Sequence, residues 1–432
     1  MSGVKTEKEG YTMKKYFFLS ALLAALLLLP AVLPAQDVKI GVIYPFSGPT
    51  AQIGLDHRHA VELVMDIVNT DKYKNWNLPL AKTLGLPNLK GAKVSAVFAD
   101  HQGKPELGLS EAERLITQEK VIALFGSYHS SVTETASTVS ERMKVPFVNA
   151  ESSSPKLTQR GYKWFFRTSP HDETFSEGMF QALKDLEKKK NMKFQTIAVT
   201  YEDTLYGKDS SRIEKELAAK AGYKVVADIP YRRGATSLDS EILKLKAANP
   251  DVLFPTSYTS DAILLTQTAK KLDFNVKAIM AQDAGHIDPS FVEAVGKDAD
   301  GICSRAEFSL DLIKAKPMLK EINDEFKKRT GGRDFSGTSV RCFVGFLVLC
   351  DALNRAGSTK PEAIQDALKK TNLPPDQLVT PWRGVKFDAN GQNILVDALV
   401  IQYQNKVQRA IWPYNLAGAE MIFPLPKWSE RR

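Results

Sequence analysis

The chain has 432 residues, of which 43% are hydrophobic and 25% are charged. This is the composition of a globular protein, and it excludes intrinsically disordered and collagen-like chains. The formal net charge of +8 is spread over well-mixed residues, and the longest basic run is only residues 188–190. We therefore interpret the charge as a contribution to solubility and expect no nucleic-acid partner.

The N-terminus has the pattern of an export signal. Lys14 and Lys15 precede an apolar run over residues 16–29, and the small residue Ala35 offers a cleavage point. A retained membrane anchor is disfavoured because the run is shorter than the roughly 20 residues of a membrane span. We predict a signal peptide over residues 1–35 and an exported protein that is soluble outside the cytoplasmic membrane. Residues 1–12 lack signal-peptide character, which suggests that translation starts at Met13.

Short apolar segments alternate with longer amphipathic ones along the rest of the chain. A first series of predicted strands covers residues 38–44, 93–99, 121–125 and 146–149. A second series covers residues 195–200, 224–229, 251–255 and 276–280. Intervening helices are predicted, for example, over residues 51–68, 131–142, 204–221 and 260–272. This alternation predicts parallel sheets with helices on both faces, and therefore an α/β fold with two doubly wound lobes.

The chain is predicted to cross between the lobes more than once. The segment 164–172, which contains a proline and has no helical period, lies between the two series of strands. The second series ends near Ile302, and later elements indicate a return to the first lobe followed by another crossing. Those elements are helices over residues 313–330, 337–356 and 361–370, and strands over residues 385–387 and 394–402. The predicted boundaries are residues 36–168 for lobe 1, 169–302 for lobe 2, 303–392 for the return to lobe 1, and 393–432 for the return to lobe 2 with the C-terminal tail.

The three cysteines do not predict a disulfide framework. Cys342 and Cys350 are eight residues apart, or about 12 Å on one helix, which is too far for a disulfide. Both are predicted to be core residues. The apolar stretch around them is bracketed by Arg341 and Asp351 and is too short to predict a second membrane span.

Two hydroxyl-rich loops follow neighbouring strands of the first series. The strand 121–125 leads to Ser130 and Ser131, one of which is expected to be a helix N-cap, and the strand 146–149 leads to Ser153. In parallel sheets, ligands bind beyond the carboxyl ends of the strands, where helix N-termini favour negative charge. These loops therefore predict a site for a carboxylate. Alternatively, they are an ordinary N-cap and an ordinary serine-rich turn.

Aromatic and acidic residues follow the strands of the second series. Tyr206, Tyr258 and Asp283 occur where those strands are predicted to end. Aromatic walls with one carboxylate suit a ligand that has an apolar body and a cationic head. The alternative roles are half-buried packing for the tyrosines and a loop cap for Asp283.

The sequence gives little support to an enzymatic function. Ser127, His129 and Asp100 could form a hydrolytic triad, but no Gly-x-Ser-x-Gly elbow is present and a triad must be established by geometry. His57 and His59 point apart on a predicted helix, so they do not predict a metal pair. No phosphate-binding, dinucleotide-binding or CxxC motif occurs. We expect no catalytic residue, no metal and no cofactor.

A set of short motifs occurs in order along the chain. The motifs are Val38-Lys39-Ile40-Gly41-Val42, Ser47-Gly48-Pro49, Ala99-Asp100, Gly126-x-x-x-Ser130-Ser131, Ser152-Ser153-x-Pro155, Phe166-Arg167-Thr168, Asp203-x-x-Tyr206-Gly207 and Gly384-Val385-x-Phe387-Asp388. In order and spacing they resemble the branched-chain amino acid ABC transporter substrate-binding proteins, the leucine/isoleucine/valine branch of the type I periplasmic binding proteins. The resemblance covers essentially the whole mature chain.

The resemblance implies two Rossmann-like lobes joined by three hinge crossovers. The lobes would close on a small-molecule ligand and present it to a membrane permease with its ATPase subunits. The implied function is that of a solute-binding protein for an amino acid or a related small carboxylate, and we expect it to be a monomer. The alternatives are a binding protein for urea, short amides or aromatic carboxylates, and a ligand-sensing receptor of the same fold.

The resemblance also implies roles for seven residues. Ser130 and Ser153 would hold the carboxylate of the ligand through hydroxyl and backbone N–H groups. The remaining five would hold the ammonium group or line the wall of the second lobe. The backbone near Tyr128 and Glu151 and the carboxylate of Asp283 are implied for the ammonium, and the rings of Tyr206 and Tyr258 for the wall.

Overall fold

The strands form two main sheets in the computed structural model, which describes residues 37–431. The first sheet contains β1 (Val38–Tyr44), β2 (Val94–Asp100), β3 (Ala123–Gly126), β4 (Phe147–Asn149) and β5 (Phe165–Arg167). All its strands are parallel, in the order β2-β1-β3-β4-β5, so the carboxyl ends of β3 and β4 lie side by side. The predicted signal peptide over residues 1–35 and the predicted start at Met13 lie outside the described residues.

The second sheet is parallel at its centre and antiparallel at one edge. The next strands in the chain are β6 (Thr196–Glu202), β7 (Lys224–Tyr231), β8 (Val252–Thr256), β9 (Ala278–Ala281) and β10 (Cys303–Ala306). They are followed by β11 (Asn372–Leu373), β12 (Val385–Lys386), β13 (Leu399–Gln404) and β14 (Val407–Trp412). The order in the second sheet is β14-β13-β10-β9-β8-β6-β7, while β11 and β12 pair separately. The strands β13 and β14 run antiparallel to their neighbours.

Eleven helices connect or cover the described strands. They are α1 (Ala51–Asn69), α2 (Pro105–Thr117), α3 (Ser130–Met143), α4 (Asp172–Lys190), α5 (Leu205–Ala221), α6 (Asp239–Ala248), α7 (Thr259–Lys271), α8 (Pro289–Val295), α9 (Met318–Arg329), α10 (Gly337–Ala356) and α11 (Pro361–Lys369). Helices α2 and α3 pack together beside the first sheet, and α9 and α10 both pack on α1. Helix α4 packs on α5 and on strands of the second sheet.

Each sheet with the helices packed on it forms one lobe. Lobe 1 is built on the first sheet and includes α9 and α10, whereas lobe 2 is built on the second sheet and includes α4. The chain passes between the lobes after β5, after β10 and before β13. The predicted fold class, an α/β protein with two doubly wound lobes joined by three crossovers, is therefore confirmed.

Some elements differ from the prediction. Strand β10 extends the second sheet beyond Ile302, where we expected its strands to end, and the predicted crossover 164–172 begins with β5. The strand predicted over residues 394–402 starts only at Leu399, because Ile394 is exposed and its N–H donates to Lys386 near the crossover. Strand β14 was not predicted, because its partly exposed, polar sequence gives a weak apolar pattern.

Helix α10 is a core element. Among residues 37–431 it is the one helix that is long and apolar enough to span a membrane, and 89% of its apolar window is buried inside the protein. It begins with a capping box formed by Ser336 and Ser339. Cys342 and Cys350 are buried, as predicted for core residues, and Cys303 is buried as well; within residues 37–431 none of the three forms a disulfide.

Candidate ligand-binding site between the lobes

The first wall of the site begins with the loop that follows β3. Ser127, Tyr128 and His129 lead from the strand into α3, whose first residue is Ser130. We expected Ser130 or Ser131 to be the N-cap, but His129 takes that position because the left-handed backbone of Tyr128, with φ 79°, turns the chain into the helix earlier. The hydroxyl of Ser130 therefore lies in the first helical turn, beside N–H groups that have no partner within the helix.

The loop that follows β4 is held in place by Arg167. Its guanidinium donates to the backbone carbonyl oxygens of Ser152 at 3.1 Å and Ser154 at 2.7 Å. The N–H of Ser154 donates to the hydroxyl of Ser130 at 3.4 Å, so the two loops contact each other. Ser153 lies between the two anchored residues, and its position is fixed by the backbone on both sides.

Glu151 gives this wall a carboxyl group that is largely uncharged. The hydroxyl of Tyr44 lies 2.9 and 2.8 Å from its two carboxyl oxygens and donates to them. Burial raises the pKa of Glu151 to about 8, and the nearby cation of Arg341 only partly opposes this effect. At neutral pH the protonated form therefore predominates, and the wall from lobe 1 carries little negative charge.

Aromatic rings from both lobes meet across the cleft. Tyr258, the N-cap of α7, lies with its ring centroid 5.4 Å from that of Tyr128 and 4.5 Å from that of His129. Tyr206 packs against Tyr258 at 5.3 Å, and its hydroxyl donates to the carbonyl of Gln282. The rings fill the space between the lobes and exclude water from the groups behind them.

A cluster of buried charges surrounds Asp283 in the second wall, and Arg341 of α10 joins it from lobe 1. The Oδ2 atom of Asp283 accepts hydrogen bonds from the guanidinium groups of both Arg305 and Arg341, the latter at 2.8 Å. Arg341 also donates to Glu307 at 3.0 Å. All four side chains are 1% exposed or less. Burial raises the pKa of Glu307 to about 7, although the two arginines favour its ionised form.

Arg305 connects this cluster to the rest of the site. Its guanidinium lies 3.5 Å from the carboxylate of Asp172, the first residue of α4, and stacks 3.6 Å above the ring of Phe175. It also donates to the hydroxyl of Ser153 at 3.3 Å. Burial raises the pKa of Asp172, and the positive charge of Arg305 partly opposes this shift.

All seven residues predicted for the site line the same interlobe cavity. Its other lining residues are Ala284, Arg305 and Arg341, and its volume is only about 10 Å³. That volume is close to the space of one water molecule, so the two walls of the cleft are in contact. Further contacts between the lobes lie at its rim, where Asp209 binds Lys156 at 2.9 Å and Arg233 donates to the carbonyl of Gly103 at 3.0 Å.

The structure does not assemble the hydrolytic triad that we considered. The hydroxyl of Ser127 pairs with Thr133 at 2.8 Å, and the carboxylate of Asp100 accepts from the hydroxyl of Ser47 and the N–H of Phe46. His129 packs against Tyr258 instead of orienting Ser127. Over the part of the chain from residue 37 to 431, no group of three or more His, Cys, Asp or Glu side chains is arranged to hold a metal ion.

The sequence analysis did not identify Arg305, Arg341 and Glu307 as site residues. Arg341 had a detectable signal, because it lies inside the apolar helix α10 and a buried arginine requires an acidic partner. Arg305 lies in β10, the last parallel strand of lobe 2, and Glu307 follows that strand, which we placed outside the series of strands.

Comparisons with known proteins agree with this architecture. A family model described as periplasmic binding protein matches residues 37–406. The Leu/Ile/Val-binding protein homolog 7 of Brucella suis biovar 1 (strain 1330) is 29% identical over 411 residues, which cover 94% of this chain and 99% of that protein.

Solved structures share the fold at low sequence identity. A leucine-binding protein from Thermotoga maritima MSB8 has a TM-score of 0.73 at 22% identity and covers 86% of this chain and 97% of its own. A solute-binding protein of an ABC transporter from R. palustris, in complex with 4-hydroxybenzoate, has a TM-score of 0.72 at 18% identity, with coverages of 91% and 99%. The family match spans most of the chain, and the chain therefore belongs to the periplasmic binding protein family.

Proposed function

We propose that the protein is the exported solute-binding component of an ABC importer. It binds an amino acid or a related small carboxylate between its lobes and delivers it to a membrane permease with its ATPase subunits. The observation that carries this proposal is the shared interlobe cavity, in which all seven predicted residues meet. The protein acts as a soluble periplasmic monomer that binds its ligand without chemical change.

The wall from lobe 1 receives the carboxylate of the ligand. Ser130 offers a hydroxyl group in the first turn of α3, and Ser153 offers another from the adjoining loop. A helix N-terminus favours an anion through its free N–H groups and its dipole. The backbone near Tyr128 and Glu151 lies close enough to contact the adjoining part of the ligand, since both residues line the same cavity.

The wall from lobe 2 closes over the ligand. Tyr206 and Tyr258 supply aromatic surface, and Asp283 supplies an oxygen atom, Oδ1, that has no hydrogen-bond partner in the closed cleft. The ligand binds lobe 1 first and then stabilises the closed state by contacting lobe 2. Closure is driven by the difference in ligand affinity between the open and closed states.

The crossovers between the lobes provide the hinge. Arg167 donates to the side chain of Gln392 at 2.7 Å, and Asn393 donates to the carbonyl of Thr168 at 2.9 Å. The first and third crossovers are therefore tied side by side. We place hinge positions at the predicted boundaries 168 and 392.

An aromatic carboxylate is the second candidate ligand. The apolar surface of the cavity comes mainly from the rings of Tyr128, Tyr206 and Tyr258, and no aliphatic side chain larger than alanine lines it. Aromatic surface of this kind suits a ring better than a branched aliphatic side chain. The structural neighbour from R. palustris, solved in complex with 4-hydroxybenzoate, supports this candidate.

A ligand screen by thermal melting tests the proposal. The purified protein is unfolded and refolded to remove bound ligand, then melted with amino acids, aromatic carboxylates, short amides and urea. A ligand present at 100 times its Kd adds about 2.7 kcal/mol to the free energy of unfolding. We expect stabilisation by amino acids or by aromatic carboxylates. Stabilisation by urea or amides alone would contradict the carboxylate site, and no stabilisation by any member would contradict the proposed function.

A further inference from the structure

A second cavity between the lobes, which we call the rim cavity, adjoins the ligand-binding cavity. Its volume is about 90 Å³, several times the roughly 10 to 15 Å³ that one water molecule needs. Tyr258 lines both cavities, so they are neighbours. Polar groups from both lobes line the rim cavity, and they include Thr50, Gly103 and His129 of lobe 1 and Arg233, Tyr258 and Ser260 of lobe 2.

Arg233 brings a positive charge to the rim cavity. Within residues 37–431 its partly buried guanidinium makes one hydrogen bond, across the cleft to the carbonyl of Gly103 at 3.0 Å. The N–H of Gly103 in turn donates to His101 at 2.9 Å, which fixes this loop of lobe 1. A guanidinium carries five N–H donors in a planar fork. Arg233 therefore keeps donors for a planar or tetrahedral oxyanion.

The acidic groups near Arg233 are engaged elsewhere. Burial raises the pKa of Glu202 to about 8, so this carboxyl group is largely protonated at neutral pH. Both carboxylate oxygens of Asp261 accept the N–H of Gly234 at 3.1 Å. In the part of the chain from residue 37 to 431, neither acid is hydrogen-bonded to Arg233. On lobe 1, the carboxylate of Asp100 accepts hydrogen bonds from Phe46, Ser47 and Gln102.

Two helices begin at the rim cavity, one from each lobe. Thr50 is the N-cap of α1 and Tyr258 is the N-cap of α7, and neither side chain caps its own helix. The N–H groups of a first helical turn have no partner within the helix, and together with the helix dipole they attract anions. No acidic residue in the first turn of α1 offsets this effect. Both helix ends therefore add positive potential to that of Arg233.

His129 is a buried polar side chain in the wall of the rim cavity. It is 2% exposed, and within the described residues its Nδ1 atom has no hydrogen-bond partner. Its ring is held between those of Tyr258, at 4.5 Å, and His101, at 5.4 Å. Burial lowers the pKa of His129 well below its usual value, so the ring is neutral and carries one N–H donor. A buried polar group is costly unless it is hydrogen-bonded, which points to a polar ligand beside it.

We propose that the rim cavity is a second anion-binding site, where one oxyanion pairs with Arg233 and accepts hydrogen bonds from His129 and from the first turns of α1 and α7. The oxyanion is either a second acidic group on the ligand in the cleft or a separate phosphate or sulfate. From either source it contacts both lobes and favours their closure, as the ligand does. The first source rests on the proposed function and narrows the ligand to a dicarboxylate.

Arg232 provides a matched control for Arg233. It is the preceding residue of the same loop, but it is exposed and does not line the rim cavity. Arg232→Gln and Arg233→Gln remove the same charge, so a general electrostatic effect would be equal in both variants. Arg233→Lys keeps the charge but loses the planar fork, and it should retain only part of the binding. Circular dichroism confirms that each variant is folded.

Thermal melting tests for a separate oxyanion. The ligand-stripped protein is melted with sodium phosphate and with sodium sulfate at constant ionic strength. If the site takes a free oxyanion, the melting temperature rises to a plateau for the wild type and for Arg232→Gln, and Arg233→Gln loses this rise. Equal rises in the two glutamine variants would mean that the oxyanion binds elsewhere.

Matched pairs of ligands test for a second acidic group. Calorimetric titrations compare L-glutamate with L-glutamine, L-aspartate with L-asparagine, and terephthalate with benzoate. If the group belongs to the ligand, the wild type prefers one dicarboxylate by about tenfold or more, as expected for a hydrogen bond to a charged group. Arg233→Gln should lose this preference, and Arg232→Gln should keep it.

The two experiments separate this proposal from the function of the protein. The rim site is overturned if neither phosphate nor sulfate depends on Arg233 and no dicarboxylate is preferred. Tight binding of a monocarboxylate such as L-leucine or benzoate in that case would leave the importer function intact. Absence of binding by every amino acid and aromatic acid would contradict the proposed function, and the melts with phosphate and sulfate would still decide whether the rim cavity binds an anion.

Discussion

The two walls of the cleft are built from different chemistry. Apart from the cation of Arg341 on α10, the wall from lobe 1 is mostly uncharged, with the hydroxyl groups of Ser130 and Ser153 beside a helix N-terminus and a largely protonated Glu151. The wall from lobe 2 concentrates ionised groups around Asp283 and Arg305, and these neutralise one another. The hydrogen-bond donors of lobe 1 are fixed in place, so they can bind a ligand with little rearrangement. On lobe 2, by contrast, closure depends on the charges that the ligand and lobe 1 present to the ionised groups.

The electrostatic potential of the two walls also has different sources, the backbone around Ser130 on lobe 1 and the side chains around Asp283 on lobe 2. Around Ser130 on lobe 1 the positive potential arises from the N–H groups of α3 and changes little when one side chain of that turn is replaced. On lobe 2 each charge is stabilised by its neighbours, so the loss of one affects the others. We therefore expect substitutions on lobe 2 to have larger effects on the free energy of unfolding than substitutions on lobe 1.

The largest effect is expected for Asp283→Asn. This change removes the carboxylate shared by Arg305 and Arg341 and leaves two buried cations short of a partner. Breaking a buried ion pair in this way costs about 3 to 5 kcal/mol. Urea unfolding measures the loss. As a control, Asp203→Asn removes an exposed ion pair with Lys208 and should cost less than about 1 kcal/mol. Equal costs for the two variants would contradict the stabilising role of the buried ion pairs around Asp283.

The next effect concerns Glu151→Gln and depends on pH. The pKa of Glu151 is raised by burial to about 8 in the folded protein, from an ordinary value near 4.5. The folded state therefore binds more protons than the unfolded state between these values, and stability falls as the pH rises through this window. Between pH 5 and pH 7.5 the titration of Glu151 lowers the free energy of unfolding by up to about 3 kcal/mol.

The glutamine variant should lose this part of the pH dependence. Its amide oxygen can still accept the hydrogen bond from Tyr44, so stability near pH 5 should change little. In urea unfolding from pH 5 to pH 8, the free energy of unfolding of the variant should increase relative to that of the wild type as the pH rises. A constant difference across this range would mean that Glu151 is ionised and that the wall from lobe 1 is charged.

Tyr258→Ala is expected to weaken ligand binding to an intermediate extent. Its ring packs against Tyr128 and His129 across the cleft, and each aromatic pair is worth about 0.5 to 1.5 kcal/mol. The affinity for the ligand found in the thermal screen should fall by about 5- to 100-fold, as measured by calorimetry. Tyr414→Ala, which changes an exposed tyrosine outside the cleft, should leave the affinity unchanged. Equal affinities for the two variants would show that Tyr258 takes no part in closure.

Ser130→Ala should have the smallest effect. It removes one hydroxyl group from the first turn of α3 but keeps the backbone N–H groups of the helix. The loss of one hydrogen bond corresponds to about 0.5 to 1.5 kcal/mol, or roughly a 2- to 12-fold weaker affinity. The neighbouring Ser131→Ala is the matched control and should bind as the wild type does. If Ser131→Ala weakens binding more than Ser130→Ala, the carboxylate site is wrongly placed.

The fold was largely predictable because it depends on local patterns. Strands β1 to β4 and β6 to β9 are short, apolar and separated by helices, so their order alone indicated two parallel sheets. The hydroxyl loops after β3 and β4 could be placed together for the same reason. The start of α3 was misplaced because it depends on the backbone conformation of Tyr128, which the residue type does not reveal.

The charged wall was not predictable because its partners are distant in sequence. Asp283 lies 58 residues from Arg341 and 22 from Arg305, and its contact with Arg341 exists only after the two lobes have packed together. We assigned Asp283 to an ammonium group without knowing that two arginines share one of its oxygens. Composition can show that a buried arginine needs an acid, but the tertiary structure decides which acid.

A crystal structure with the ligand identified by thermal melting tests the central claim most directly. The molecule offers a larger rival site, a groove of about 520 Å³ between Lys189 and Trp412 on lobe 2. We predict that the ligand lies between Ser130 and Asp283, with both lobes contacting it and the direct contact between Arg341 and Asp283 broken. A ligand seated in the groove beside Trp412, with the interlobe ion pairs intact, would contradict this account.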